Sequence, residues 1–154
     1  MNLELKNIKY SDFASEETNC YQASLYLDGK KIALVSNDGR GGCDYFHKEE
    51  GVSPTLEREI HEYFKTLPNI PCEYIEDGLS QDLETWCGEQ VTRWMYAKEL
   101  KRYLKKGSMI KDGRNMYTWK GHFTSDFIKK KHPKAVIFND LPFDEALTLY
   151  MGEA

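Results

Sequence analysis

The 154-residue chain predicts an α+β fold, an antiparallel sheet seeded by its N-terminal strands with helices packed on one face. Three observations carry this expectation. Apolar and polar residues alternate at the front of the chain, helical spacing dominates its middle, and strands and helices do not alternate as a parallel doubly wound sheet requires. Hydrophobic residues at 40% and charged residues at 30% are globular proportions, and the length suits a single domain over 1–154.

The strands are expected within residues 2–35. Leu3 and Leu5 face one way and Glu4 and Lys6 the other in a strand over 2–10, followed by a polar connection over 11–19. Tyr21, Ala23, Leu25 and Leu27 then alternate with Gln22, Ser24 and Tyr26. Asp28-Gly29 supplies the positive φ angles of a tight turn, and residues 32–35 return as the partner strand. The glycines and Asn/Asp residues of 36–44 break the pattern and predict a loop.

The helical middle is expected over 54–106. Ser53 as N-cap and Pro54 at the first helical position open one helix, with Leu56, Ile60, Tyr63, Phe64 and Leu67 on one face until Pro68 stops it. After a connection over 69–78, Ser80 caps a second helix with Leu83, Trp86, Cys87, Val91, Trp94 and Met95 as its stripe. Ala97, Leu100 and Leu104 continue inward, and Gly107 ends the segment as a C-cap. A basic hairpin and helix occupy 108–134: the hairpin turns at Asp112-Gly113, and a helix over 124–131 ends before Pro133. A short strand over 135–138 and a C-terminal helix over 143–150, opened by Leu141-Pro142, complete the chain.

Composition excludes several classes. The N-terminus lacks the apolar stretch of a secretory signal, and no run approaches the ~20 apolar residues of a membrane helix. A soluble cytoplasmic protein with no membrane contact is expected. Cys20, Cys43, Cys72 and Cys87 show neither a disulfide framework nor a metal-binding spacing, so free thiols, no metal and no cofactor are expected.

The net charge of −4 conceals a strong asymmetry. Lys and Arg number 9 against 18 acids in residues 1–95, 12 against 3 in 96–134, and 0 against 4 in 135–154. One basic surface on an acidic molecule is expected. Lys98, Lys101, Arg102, Lys105, Lys106, Lys111, Arg114 and Lys120 alternate with Tyr103, Tyr117 and Trp119, and Lys129, Lys130, Lys131 and Lys134 follow. Clustered cations suit phosphates, exposed aromatics suit unpaired bases, and a helix followed by a basic hairpin is compatible with a winged helix.

The densest set of reactive side chains lies at 37–47. Gly39, Gly41 and Gly42 with Arg40 would let backbone N–H groups approach an anion, but Cys43-Asp44 stands where a phosphate loop needs Lys-Ser/Thr. Cys43 as nucleophile with His47 as base is a second possibility, opposed by Asp38 and Asp44, which disfavour a thiolate. Metal binding by Cys43, His47 and a carboxylate or His61 lacks paired Cys-x-x-Cys or His-x-x-x-His spacing. No catalytic residue is therefore assigned; Cys43, Asp44 and His47 stand as candidates for a hydrolytic enzyme, and a glycine-rich turn is the plain alternative. His61, His122 and His132 read as surface histidines, and Glu57, Glu59, Glu62, Glu73, Glu76 and Asp77 as solvated carboxylates.

Residues 13–18 (FASEET), 27–31 (LDGKK), 36–44 (SNDGRGGCD) and 141–147 (LPFDEAL) resemble a family of small bacterial and phage proteins with no established activity. The resemblance implies a microbial or mobile-element setting, where small acidic proteins that block host defence are one class. The leading expectation is a non-enzymatic protein contacting nucleic acid or a nucleoprotein complex through 98–134. An acidic inhibitor of a nucleic-acid-processing enzyme is the alternative from another class, and a hydrolase using 38–47 the third.

Overall fold

Asp28 (φ 48°) and Gly29 (φ 82°) reverse the chain between β2 (Cys20–Leu27) and β3 (Lys30–Asn37) in the computed structural model, which describes residues 1–152. Both occupy left-handed backbone, which Gly adopts freely and Asp tolerates. The Asp28 carboxylate accepts the Asn2 N–H at 3.0 Å, tying the turn to the start of β1 (Leu3–Ser11). With β4 (Tyr45–Lys48), these strands form an antiparallel sheet in the order β1-β2-β3-β4. The fold is α+β, and the N-terminal strands make its larger sheet.

β4 lies where sequence spacing suggested only loop. It has four residues, and Phe46 alone turns inward among exposed Tyr45, His47 and Lys48, which is too little alternation to read. The connection over 69–78 likewise holds a small hairpin, β5 (Ile70–Cys72) and β6 (Ile75–Leu79). Most of its residues are exposed, so backbone pairing rather than an apolar face holds it together.

The chain divides into two compact units, Met1–Thr92 and Arg93–Ala154. In the first, Tyr21, Ala23 and Leu25 are buried at every second position of β2, with Ile32, Ala33 and Val35 beside them on β3. Helix α1 (Leu56–Lys65) turns Ile60 and Phe64 into the core as its spacing predicts. Leu56 and Ile60 line the same apolar space as Leu25, Ile32, Ala33 and Phe46 of the sheet. Burial of a side chain such as Phe64 contributes roughly 1.5–3 kcal/mol.

The N-terminus of α1 differs from expectation. Thr55, not Ser53, is the N-cap residue, and Ser53 Oγ instead accepts the Thr55 N–H at 3.2 Å in the preceding turn. The second helix, α2 (Leu83–Lys106), is likewise capped by Asp82 rather than Ser80, its Oδ1 accepting the Thr85 N–H at 2.7 Å. A carboxylate at this point also favours the helix dipole. Helix α2 runs unbroken for 24 residues and contributes to both units.

In the second unit, β7 (Met109–Asp112) lies between β8 (Asn115–Thr118) and β9 (Val136–Ile137). Neighbouring residues of a strand point to opposite faces, and here they feed two cores. Met109 packs with Leu100 of α2, Phe138, and Ala146 and Leu147 of the C-terminal helix α4 (Phe143–Met151), while Ile110 packs with Ile128, Ala135 and Ile137. Ile128 belongs to α3 (Ser125–Lys131), whose N-cap Thr124 accepts the Phe127 N–H at 3.2 Å. Helix α4 ends at Gly152 (φ 79°).

Gly107 ends α2 for a reason other than a left-handed cap. Its φ is not positive; a Cβ there would lie 1.8 Å from the Trp119 carbonyl oxygen, so the position needs glycine for close backbone approach. Ser108 N donates to Gly121 O at 3.1 Å and Trp119 N to Ser108 O at 2.9 Å. These bonds fasten residues 119–121 along the end of α2.

Candidate nucleic-acid interface

The reactive-looking residues at 37–47 are engaged in holding backbone. Asn37, nearly buried, accepts from Thr18 Oγ1 and Gly39 N, both at 2.8 Å, and donates to Gly42 O and Asp44 Oδ1, both at 2.9 Å. Gly39 (φ 82°) passes so close to the 12–19 connection that a Cβ would meet Ala14 O at 2.1 Å, and its carbonyl accepts the N–H groups of Glu16, Glu17 and Thr18. Asp44 accepts a hydrogen bond from the Tyr21 hydroxyl, whereas Cys43 and His47 are exposed. Burial, then the Asp44 carboxylate, push the Tyr21 phenol well above its ordinary range. Burial and the same carboxylate raise the neighbouring Cys87 thiol. Among the described residues, no group of three or more His, Cys, Asp or Glu side chains is placed to hold a metal ion.

The basic residues are distributed differently. Lys98, Lys101, Arg102, Lys105 and Lys106 recur at helical spacing on one side of α2, and all are exposed. Lys98 Nζ stands 5.1 Å from the Trp94 ring centroid and Lys101 Nζ 5.0 Å from that of Phe143, so each ammonium sits over an aromatic face on a side chain that remains exposed. Arg102 shares Glu99 at 3.5 Å. Lys111 is half-buried on β7, Arg114 is exposed in the β7–β8 turn, and exposed Lys120 follows β8. Gly121 N donates to Lys106 O at 3.0 Å, so the backbone beside Lys120 runs against the end of the α2 basic row.

Of the three aromatics interleaved with these cations, Tyr103 packs against the Leu100 core and is half-buried, correcting the expectation of an exposed stacking surface there. Tyr117 is exposed, and Trp119 lines a cavity of about 450 Å³ with Phe123, Phe127, Ile128, Lys131 and His132. Phe123 and Phe127 stack with centroids 5.2 Å apart and planes 19° from parallel; Trp119 meets Phe123 edge-on at 6.1 Å. His132 stands between Tyr117 at 5.6 Å and Trp119 at 5.9 Å, its Nδ1 2.7 Å from Asp112 Oδ2.

No family model, curated protein or solved structure matches the chain. No helix among the described residues is long and apolar enough to cross a membrane.

The cavity is the feature that sequence reasoning missed. Phe127 and Lys131 stand one i, i+4 step apart on α3, with Phe123 just before its N-cap Thr124, and that spacing was the available signal. Trp119 and His132 come from opposite ends of the 119–132 segment and are joined only by the fold. Lys131 Nζ lies 5.2 Å from the Phe127 centroid, putting a cation beside the ring faces. His122, by contrast, bonds the end of α2 through Nε2 to Leu104 O at 2.8 Å, and His61 is exposed on α1.

Proposed function

We propose that the chain is a non-enzymatic binding protein that contacts nucleic acid, free or within a nucleoprotein complex, through the basic residues of 98–134, in the cytoplasm of a microbial cell. The observation that supports this best is the segregation of charge between the two units. Residues 1–92 carry 8 Lys and Arg against 18 acids, whereas residues 93–154 carry 13 against 7. Within 96–134 and among the described residues, only Arg102 and His132 have a carboxylate within ion-pair distance. The remaining cations are free to meet phosphate. Lys98, Lys101, Arg102, Lys105 and Lys106 form one row on α2, with Lys111, Arg114 and Lys120 on and around the β7–β8 hairpin.

Fluorescence anisotropy with labelled single strands and duplexes tests the reading. Wild type is expected to bind at low salt, and Lys101→Glu with Lys105→Glu should weaken both substrates together. Absence of binding to every strand at low salt would remove the proposal.

The −10 balance of residues 1–92 supports a second reading, an acidic inhibitor of a nucleic-acid-processing enzyme. In that case the enzyme complex would weaken on reversing acids of the first unit and ignore Lys101→Glu.

A further inference from the structure

The 450 Å³ cavity between β8 and α3 is built unlike the rest of the basic surface. Its walls are the rings of Trp119, Phe123, Phe127 and His132, with one aliphatic side chain, Ile128, and one cation, Lys131. Phe123 and Phe127 are 45% and 44% exposed although they stack on one another. Large apolar rings left open in a concave site mark a place for a ligand. No carboxylate lines it, and the Asp112 carboxylate is held by His132, one of the lining residues.

Resting on the nucleic-acid reading above, we propose that this cavity receives one unpaired base of a single-stranded nucleic acid, with Lys131 and the exposed Lys129, Lys130 and Lys134 drawing in the adjoining phosphates. The chemistry of the lining selects this occupant. A nucleobase is flat and offers a π-face to ring walls, and the phosphates on either side of it complement a lysine run that carries no ion pair among the described residues. A base inside a duplex is stacked on both faces and cannot enter, so the cavity confers a preference for single strands that phosphate contacts alone do not. An acidic peptide would satisfy the lysines but leave the ring faces unused. Insertion into an anionic membrane needs apolar side chains projecting from a convex surface, whereas these rings line a hollow.

The test compares wild type, Phe127→Ala, Phe127→Leu and Lys101→Glu in binding to a labelled single strand, a blunt duplex of equal length, a mononucleotide and anionic phospholipid vesicles. Circular dichroism confirms that each variant folds; Phe127→Leu keeps apolar volume and loses only the ring. The expected result is single-strand binding about 5- to 150-fold weaker in both Phe127 variants, with duplex binding changed less than about twofold. Lys101→Glu should weaken both. Trp119 emission should be quenched by the single strand, a signal absent in Trp119→Phe. Equal loss on strand and duplex, or no loss on either, overturns the cavity assignment while Lys101→Glu sensitivity leaves the broader reading standing. A mononucleotide binding as tightly as the strand, or binding to vesicles and to no strand, also overturns it. Wild type that binds neither strand nor duplex overturns both readings.

Discussion

His132 Nδ1 lies 2.7 Å from Asp112 Oδ2, joining the residue that follows α3 to the last residue of β7. The pair fixes the imidazole between Tyr117 and Trp119 and so sets one wall of the aromatic cavity. Asp112→Ala should lower stability by about 0.5–1.5 kcal/mol, the net range for one intramolecular hydrogen bond, read as a lower urea midpoint at unchanged slope. His132→Ala should cost a similar amount, and the double variant should cost less than the sum of the two.

Two glycines of α2 and its end should respond in opposite directions to alanine. Gly107→Ala places a Cβ 1.8 Å from the Trp119 carbonyl, so backbone must move, and a loss of about 2 kcal/mol or more is expected. Gly88 has open space around its Cβ position within α2, and Gly88→Ala should stabilise by about 0.5–1 kcal/mol. Thermal melts of the two variants check both signs.

Asn37→Ala removes four hydrogen bonds at once from a nearly buried position. A loss of about 2–4 kcal/mol is expected, with the 12–19 connection becoming susceptible to limited proteolysis. Cys43→Ala, at an exposed position in the same loop, should stay within about 0.5 kcal/mol of wild type.

Stability should fall in alkali through Tyr21 and Cys87. Both groups have folded pKa values raised above their ordinary values of 10.0 and 9.0, chiefly by burial. Above about pH 9 the unfolded chain therefore releases protons that the folded chain retains, and the equilibrium shifts toward unfolding. Below that pH both states hold these protons and the effect vanishes. Tyr21→Phe should be less stable at neutral pH, because its ring cannot bond Asp44, yet show a shallower alkaline decline in urea titrations at stepped pH.

Much of the fold was legible because periodicity and turn chemistry are local. The Asp28-Gly29 hairpin, the Ile60 and Phe64 face of α1 and the Leu100 side of α2 all lie where spacing placed them. What escaped depends on long-range pairing or on choices between adjacent caps. β4 has a single inward residue, and β5 with β6 shows almost no buried face. Asp82 took the capping role from Ser80, and Thr55 the N-cap position from Ser53, because helix start depends on where the backbone enters as well as on residue type. The basic row on α2 was visible as spacing. The cavity was not, since Trp119 and His132 meet only through β8 and α3, and Tyr103, which looked available for stacking, is spent on packing.

The most direct test of the account is the salt dependence of single-strand binding, followed from ~50 to ~200 mM salt for wild type and for Lys101→Glu with Lys105→Glu. Log affinity should fall linearly with log salt, and the double variant should bind more weakly with a slope shallower by about 1.4, or ~0.7 for each phosphate that is no longer neutralised. Affinity that is flat in salt, or a slope unchanged by reversing both lysines, would contradict the assignment of the α2 basic row as the nucleic-acid interface.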